Sequence, residues 1–268
     1  MSFFQAIIIA IVEGITEFLP ISSTGHMALL GYFLGIEKDA FTKLFIENIQ
    51  FGAIISVLLI YWRKFIDFKH ISFYIKLIIA VIPAAVVGLL IKKHIDNVLE
   101  KPMFIAIVMF LGGILLLFVD NWFKNPAIEK EKDITYPKAF TIGVWQLLAI
   151  IFPGFSRSAA TIIGGMHQKL TRQLAAEFSF FLAVPTLAGA FLKSLWDAHK
   201  HNPEILTHQN LILLITGNLV AFAVAIVAIK AFIAYLTKYG FRAFGYYRIL
   251  VGLAIIIFLI FGNNFTIL

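Results

Sequence analysis

Four carboxylates, Glu13, Glu17, Glu47 and Glu177, interrupt the apolar blocks of this chain, whereas nearly all the others fall in polar connections. A carboxylate deep in hydrocarbon costs about 2.5–3.5 kcal/mol on insertion scales, so each is expected to line a cavity and to have a partner. Glu13 and Glu17 stand four residues apart and share one face of a helix. Just beyond them the segment Pro20-Ile-Ser-Ser-Thr-Gly-His26 breaks that helix and supplies hydroxyls at Ser22, Ser23 and Thr24 and an imidazole at His26. A second break, Pro153-Gly-Phe-Ser-Arg-Ser158, brings Ser156 and Arg157.

Such breaks suit an anion. A half-helix beginning near Ser23 or Thr24 would aim its unpaired N–H groups and positive dipole end at the tip of the break. A second one beginning at Ser156 or Arg157 would do the same from the other side. Arg157 is the only arginine placed within a predicted membrane segment, and its planar fork suits phosphate oxygens. The plainer reading of Arg157 is an ion pair with a membrane carboxylate, and that of Glu13 and Glu17 a pair of capped or protonated core residues. A diphosphate together with Glu13 and Glu17 would leave a large negative excess against one arginine. A hard divalent cation, Mg²⁺ or Ca²⁺, held by the two carboxylates and the phosphate oxygens would offset it. Ser23 lies three residues before His26, so both face one way on a helix, and a hydroxyl with an imidazole as base can attack phosphorus; the imidazole could also attack directly.

The elements that position these groups are membrane elements. Of 268 residues 60% are hydrophobic and 14% charged, and the mean hydropathy is +0.92, whereas a soluble domain carries about 25% charged residues. Six blocks, 44–62, 73–91, 103–122, 173–195, 211–229 and 248–261, are long enough to cross a bilayer, the last being short, with room to begin a few residues earlier. Two others, 3–34 and 139–166, contain the breaks and read as helix, break, short helix. The net charge of +7 is scattered through short loops and sets topology beside anionic lipid rather than marking a nucleic-acid surface. Cysteine is absent, which removes thiolate chemistry and disulfides. No Lys or Arg precedes Lys38, so the amino-terminal apolar stretch is read as mature sequence rather than a signal peptide.

Aligning Pro20 with Pro153 sets Ser23 on Ser156, Thr24 on Arg157 and Glu13 on Gln146. The expectation is an all-α integral membrane protein forming one membrane domain, 1–268, of two repeats, 1–123 and 139–268, joined by a polar linker, 124–138. Each repeat would hold one re-entrant helix hairpin and three transmembrane helices. Three is odd, so the second copy must be inverted, with function where the broken helices meet. The larger share of Lys and Arg falls on one set of loops, which puts both termini outside.

Glu13-Gly-Ile-Thr-Glu17-Phe-Leu-Pro-Ile-Ser-Ser-Thr-Gly-His26 and Pro153-Gly-Phe-Ser-Arg-Ser-Ala-Ala-Thr161 resemble the two signature motifs of the undecaprenyl-diphosphate phosphatase, or bacitracin-resistance, membrane family. The similarity runs the whole chain and includes Ala176-Glu-Phe-Ser-Phe180 with Ala183-Val-Pro185. The resemblance implies hydrolysis of undecaprenyl diphosphate to the monophosphate, recycling the carrier for peptidoglycan synthesis and giving bacitracin resistance. It also implies a bacterial plasma membrane location, a site open to the outer face and a divalent-cation requirement. Carried over by position, Ser23, His26, Glu17 and Arg157 would be catalytic, Ser22, Thr24, Ser156, Ser158 and Thr161 would bind substrate, and Glu13 with Glu17 would hold metal. The rival reading is an inverted-repeat transporter or lipid flippase using the intramembrane carboxylates. Hydroxyls, imidazole and arginine gathered at the breaks speak against it, because ion coupling alone does not require them.

Overall fold

A computed structural model describes residues 1–36, 39–91, 98 and 101–261. Among these the chain is helical, with one isolated bridge between Ile128 and Leu170 as its sole β pairing. The helices are α1 (Phe3–Thr16), α2 (Ser23–Phe33), α3 (Ala40–Ile60), α4 (Trp62–Phe65), α5 (Ile71–Leu90), α6 (Pro102–Trp122), α7 (Tyr136–Ile151), α8 (Arg157–His167), α9 (Arg172–His201), α10 (His208–Tyr239) and α11 (Arg242–Phe261). Six of them, α3, α5, α6, α9, α10 and α11, are long and apolar enough to cross a membrane.

Every predicted block overlaps one of these six. Their ends follow capping chemistry that hydropathy does not see. Asp39 accepts from Phe41 N to start α3, Thr171 from Leu174 N to start α9, and Thr207 from Asn210 N to start α10. Pro102 occupies the first turn of α6, where its missing N–H is no loss. The short last block is completed by an earlier start at Arg242.

The helices pack in a few long pairings. α11 lies along α6, α10 along both α1 and α3, α5 along α7, and α9 along α3, α5 and α8. Glycines permit the closest of these approaches. A Cβ at Gly52 would strike the backbone of Asn218, and one at Gly143 the backbone of Ala80. Between the helices a large apolar core gathers Phe18, Phe73, Phe178, Phe180, Phe181 and Phe232, with Phe18 and Phe180 edge to face at 5.1 Å. The linker is tied down as well. Lys76 of α5, 3% exposed, donates to the Glu131 carboxylate at 3.0 Å and to two linker carbonyls, so its ammonium is fully used at the membrane edge.

The two shortest helices of the site, α2 and α8, each have 11 residues and begin the same way. Ser22 and Ser156 are their N-caps, with φ of +70° and +79°, and each hydroxyl accepts from the amide three residues on. Two non-glycine residues in the left-handed region at matched places mark local strain, which folds keep at functional positions. Cap geometry sets Ser22 on Ser156 and Ser23 on Arg157, one residue away from the register given by the prolines.

Candidate functional site

Glu17 is the centre of the cluster. It caps the end of α1, and the chain turns there into the first break. Its Oε2 accepts from the Ser23 hydroxyl at 2.7 Å, and its Oε1 accepts from Nη2 of Arg157 at 2.9 Å. One carboxylate therefore joins the first residue of α2 to the first residue of α8. Glu13, one turn earlier on α1, lies wholly buried with its carboxyl group against that of Glu17. Neither Glu13 oxygen has a hydrogen-bond partner among the described residues.

Arg157 is held on both sides of its fork. Nη1 donates to Ser179 O at 3.3 Å, Nη2 to Glu17, and the buried Nε–H has no partner among the described residues. The ion pair of the plainer reading is thus present, with Glu17 as the carboxylate, and it leaves Nε–H over. The cluster contains a buried donor without an acceptor and a buried carboxyl group without a donor. Groups in that condition are expensive to bury unless a ligand completes them.

The two breaks touch along their backbones. Ser158 donates to Phe18 O at 2.6 Å, and Ser156 reaches Leu19 O at 3.5 Å. Gly154, at φ +100°, has room only for hydrogen, since a Cβ would come within 2.5 Å of Ile105 O. α2 and α8 begin beside this contact. The first amides of each have no carbonyl of their own helix to reach, and the cap serines take only those of Gly25 and Ala159.

Arg248 of α11 was missed as a site residue. It is fully buried and donates to Met109 O at 3.2 Å, Pro20 O at 3.2 Å, Phe155 O at 2.6 Å and Gly154 O at 2.8 Å. One guanidinium thus ties α6 to both breaks, and no carboxylate is among its partners. Gly112 makes room for it, because a Cβ there would collide with the guanidinium. Arg157 is therefore one of two arginines set among the helices at the breaks. The signal for the second was an arginine opening an apolar run, which was instead counted with the loop charges.

The other expected residues fall into two groups. Thr24 and Gly25 line the inner end of a groove of about 680 Å³ between α2, α3, α6 and α11. Its walls are mostly apolar, with Met27, Leu29, Ile105 and Phe258, and Lys43, Glu47 and Gln50 form a polar side. The hydroxyls of Ser22, Ser158 and Thr161 are spent inside the protein. Ser22 caps α2, while Thr161, fully buried, meets Ser179 Oγ at 2.6 Å and so braces the residue whose carbonyl holds Arg157. His26 does not meet Ser23. Its Nδ1 faces Ser22 O at 2.8 Å and its Nε2 faces the Tyr247 hydroxyl at 2.7 Å. The expected hydroxyl–imidazole pair is replaced by a hydroxyl–carboxylate pair, because the turn of α2 points Ser23 back toward α1.

The remaining carboxylates stand apart from the breaks. Glu47 accepts from Ser194 Oγ at 2.6 Å, and Glu177 accepts from Gln173 on its own helix at 2.9 Å. Gln146, aligned with Glu13, shares its condition: it is 1% exposed with both amide atoms unpartnered among the described residues. No group of three or more His, Asp or Glu able to hold a metal occurs among the described residues. Any cation would have to share a carboxylate pair with oxygens from a ligand.

Known proteins resemble this chain along its whole length. Residues 6–254 match the family described as Bacitracin resistance protein BacA. A protein of Flavobacterium psychrophilum named undecaprenyl-diphosphatase is 53% identical over 268 residues, covering all of both chains. One of Porphyromonas gingivalis with the same name is 47% identical with both chains fully covered, and one of Bdellovibrio bacteriovorus is 46% identical over 98% of each.

Proposed function

Because the chain belongs to the bacitracin resistance protein BacA family, we propose that it is a membrane hydrolase that converts undecaprenyl diphosphate to undecaprenyl phosphate and inorganic phosphate. The work fits a multi-pass bacterial membrane protein that recycles a lipid carrier for peptidoglycan synthesis and confers bacitracin resistance. The observation that carries the reading is the Glu17 bridge, which sets a hydroxyl nucleophile and an arginine on one buried carboxylate beside two helix starts. An inverted-repeat transporter has no use for the Ser23 to Glu17 bond, and the names of the relatives do not favour that reading.

In the proposed reaction the terminal phosphate sits between the starts of α2 and α8. Ser23 Oγ attacks the terminal phosphorus and its proton passes to Glu17 Oε2. The P–O bond to the inner phosphate breaks, and undecaprenyl phosphate leaves with the bond's electron pair. The Arg157 Nε–H and the first amides of both helices take the charge that develops on the phosphoryl oxygens. Water then hydrolyses the phosphoserine and restores the serine. Thr24 and the groove behind it receive the inner phosphate and the first prenyl units, while Ser156, Ser158 and Thr161 hold the second break and Arg157 in place. The unpartnered oxygens of Glu13 fit a divalent cation, which Glu13 and Glu17 would hold; when bound, it neutralises phosphate charge.

The fold is read as two inverted repeats, each with a hairpin that enters and leaves by the same face. Gln5 Nε2 donates to Leu34 O at 3.2 Å, so the start of α1 and the end of α2 lie together. Matched caps at Ser22 and Ser156 support the repeat. With the basic loops in the cytoplasm, the groove past Thr24 opens to the outer face of the plasma membrane. The test is purified protein in detergent, a long-chain prenyl diphosphate, and phosphate release with and without chelator. Absence of release under any metal condition would remove the reading.

A further inference from the structure

The reaction above leaves His26 and the residue that meets it, Tyr247, without a role. Tyr247 stands in the second turn of α11, next to Arg248, and its hydroxyl lies 2.7 Å from Nε2 of His26. The rings are nearly parallel, with 6° between planes and centroids 5.6 Å apart. His26 is 8% exposed and Tyr247 41% exposed, so the phenol stands between the imidazole and the outside of the helix bundle.

The hydrogen-bond inventory fixes which atoms carry protons. Ser22 O accepts only, so His26 Nδ1 must be the N–H that donates to it. In the neutral ring Nε2 is then a lone pair, and Tyr247 must donate to it. In the charged ring Nε2–H donates, and the Tyr247 oxygen accepts with its own hydrogen turned away. Both charge states keep both bonds. The ring stays put while the phenol changes from donor to acceptor. Arg248, immediately next in the chain, has its guanidinium fully engaged with carbonyls and does not compete for Nε2.

We propose that Tyr247 is a positioning residue for the hydrolase, which holds His26 in either charge state and carries protons between Nε2 and the outside. A proton that enters this way is taken by the Tyr247 oxygen from water while the phenolic proton moves to Nε2; the reverse order releases one. The phenol is unchanged, and the imidazole gains or loses one proton. The bond to Ser22 O also makes His26 a brace for the cap of α2, so a loose ring would loosen the residue before Ser23. This inference rests on the phosphatase reading and gives His26 a part at the break where phosphate is hydrolysed.

Tyr247→Phe keeps the ring and removes only the hydroxyl. Measured with His26→Gln and the double variant on a prenyl diphosphate, it should lower kcat about tenfold while KM stays within about twofold, the pattern of a misplaced reacting group. The double variant should be no slower than His26→Gln alone, because both act through one ring. In ¹⁵N-histidine spectra, with His26 assigned by its loss in His26→Gln, the Nε2 resonance should move in Tyr247→Phe. An unmoved resonance, an unchanged kcat, or effects that multiply in the double variant would each overturn the inference. Full turnover in His26→Gln would likewise overturn it, whereas no phosphate release by the unaltered chain would remove the phosphatase reading, and the two failures are distinguishable.

Discussion

Arg157 and Glu17, 140 residues apart in the chain, are joined by a 2.9 Å hydrogen bond between Nη2 and Oε1. The guanidinium also donates to Ser179 O at 3.3 Å, so three elements meet on one planar group. A fork with donors on both sides can hold two protein partners and still present Nε–H to a third. Lysine carries the charge but has a single nitrogen, which cannot span Glu17, Ser179 and a phosphate at once.

Arg157→Lys should therefore be nearly as damaging as Arg157→Ala, with phosphate release reduced on the order of a hundredfold or more in both. The two variants are compared side by side on the same lipid. A lysine variant near wild type would show that Arg157 supplies only positive potential.

Removal of the cation should stop turnover. Glu13 offers two buried oxygens with no donor among the described residues, and Glu17 already has two partners. Glu13→Gln should raise the divalent-ion concentration needed for half-maximal activity while the protein keeps its melting temperature. Full phosphate release in excess chelator would sink the metal role.

Much of this was legible because the bilayer punishes polarity. Blocks of apolar residues revealed all six long helices, and carboxylates within apolar sequence revealed Glu13 and Glu17. The two proline breaks gave the two helix starts. Less visible was anything decided by direction in space. Ser23 and His26 share a helix face by count, yet Ser23 turns to α1 and His26 to α11. Ser158 and Thr161 sit in a motif that reads as a row of phosphate ligands, but their hydroxyls point into the protein. Arg248 escaped notice because its partners are main-chain carbonyls, which no sequence pattern displays. Pairing the two breaks by their prolines and pairing them by their caps differ by one residue, because proline position tracks where a helix ends, whereas the cap serine tracks where the next begins.

Arg248 should matter to stability as well as to activity. Arg248→Met would leave four buried carbonyls without their donor, at about 1–3 kcal/mol for each that water or another group does not satisfy. The melting temperature and phosphate release should both fall, and Arg248→Lys, with its three donors on one nitrogen, should lie between. A methionine variant as stable as wild type would mean the breaks are held by their own helix contacts alone.

The hairpin makes a topological prediction that the cysteine-free chain is suited to test. Phe33, at the end of α2, and Phe68, after α4, are 59% and 73% exposed. If α1 and α2 enter and leave by the outer face, Phe33→Cys in intact cells should react with an impermeant thiol reagent. Phe68→Cys should react only after the membrane is opened. The opposite pattern would reverse the orientation, and labelling of both from one side would contradict α3 as a complete crossing.

The nucleophile is the sharpest question, because the geometry separates the two candidates. Ser23 Oγ donates to Glu17 at 2.7 Å, so a carboxylate stands ready to take its proton and no imidazole is needed as base. His26 would have to attack through Nε2, the atom that the Tyr247 hydroxyl covers, while Nδ1 is tied to Ser22 O. Attack by serine should leave a phosphoserine, which survives acid and is lost in alkali, whereas attack by histidine should leave an acid-labile adduct. A turnover reaction with labelled terminal phosphate, quenched and held at both extremes of pH, should yield label that survives acid. That label should vanish in Ser23→Ala, and the same variant should lose phosphate release. An acid-labile adduct that persists in Ser23→Ala and disappears in His26→Ala would transfer the role to the imidazole. Turnover without any adduct would mean that water attacks the phosphate directly, with Glu17 taking the proton from water in place of the serine.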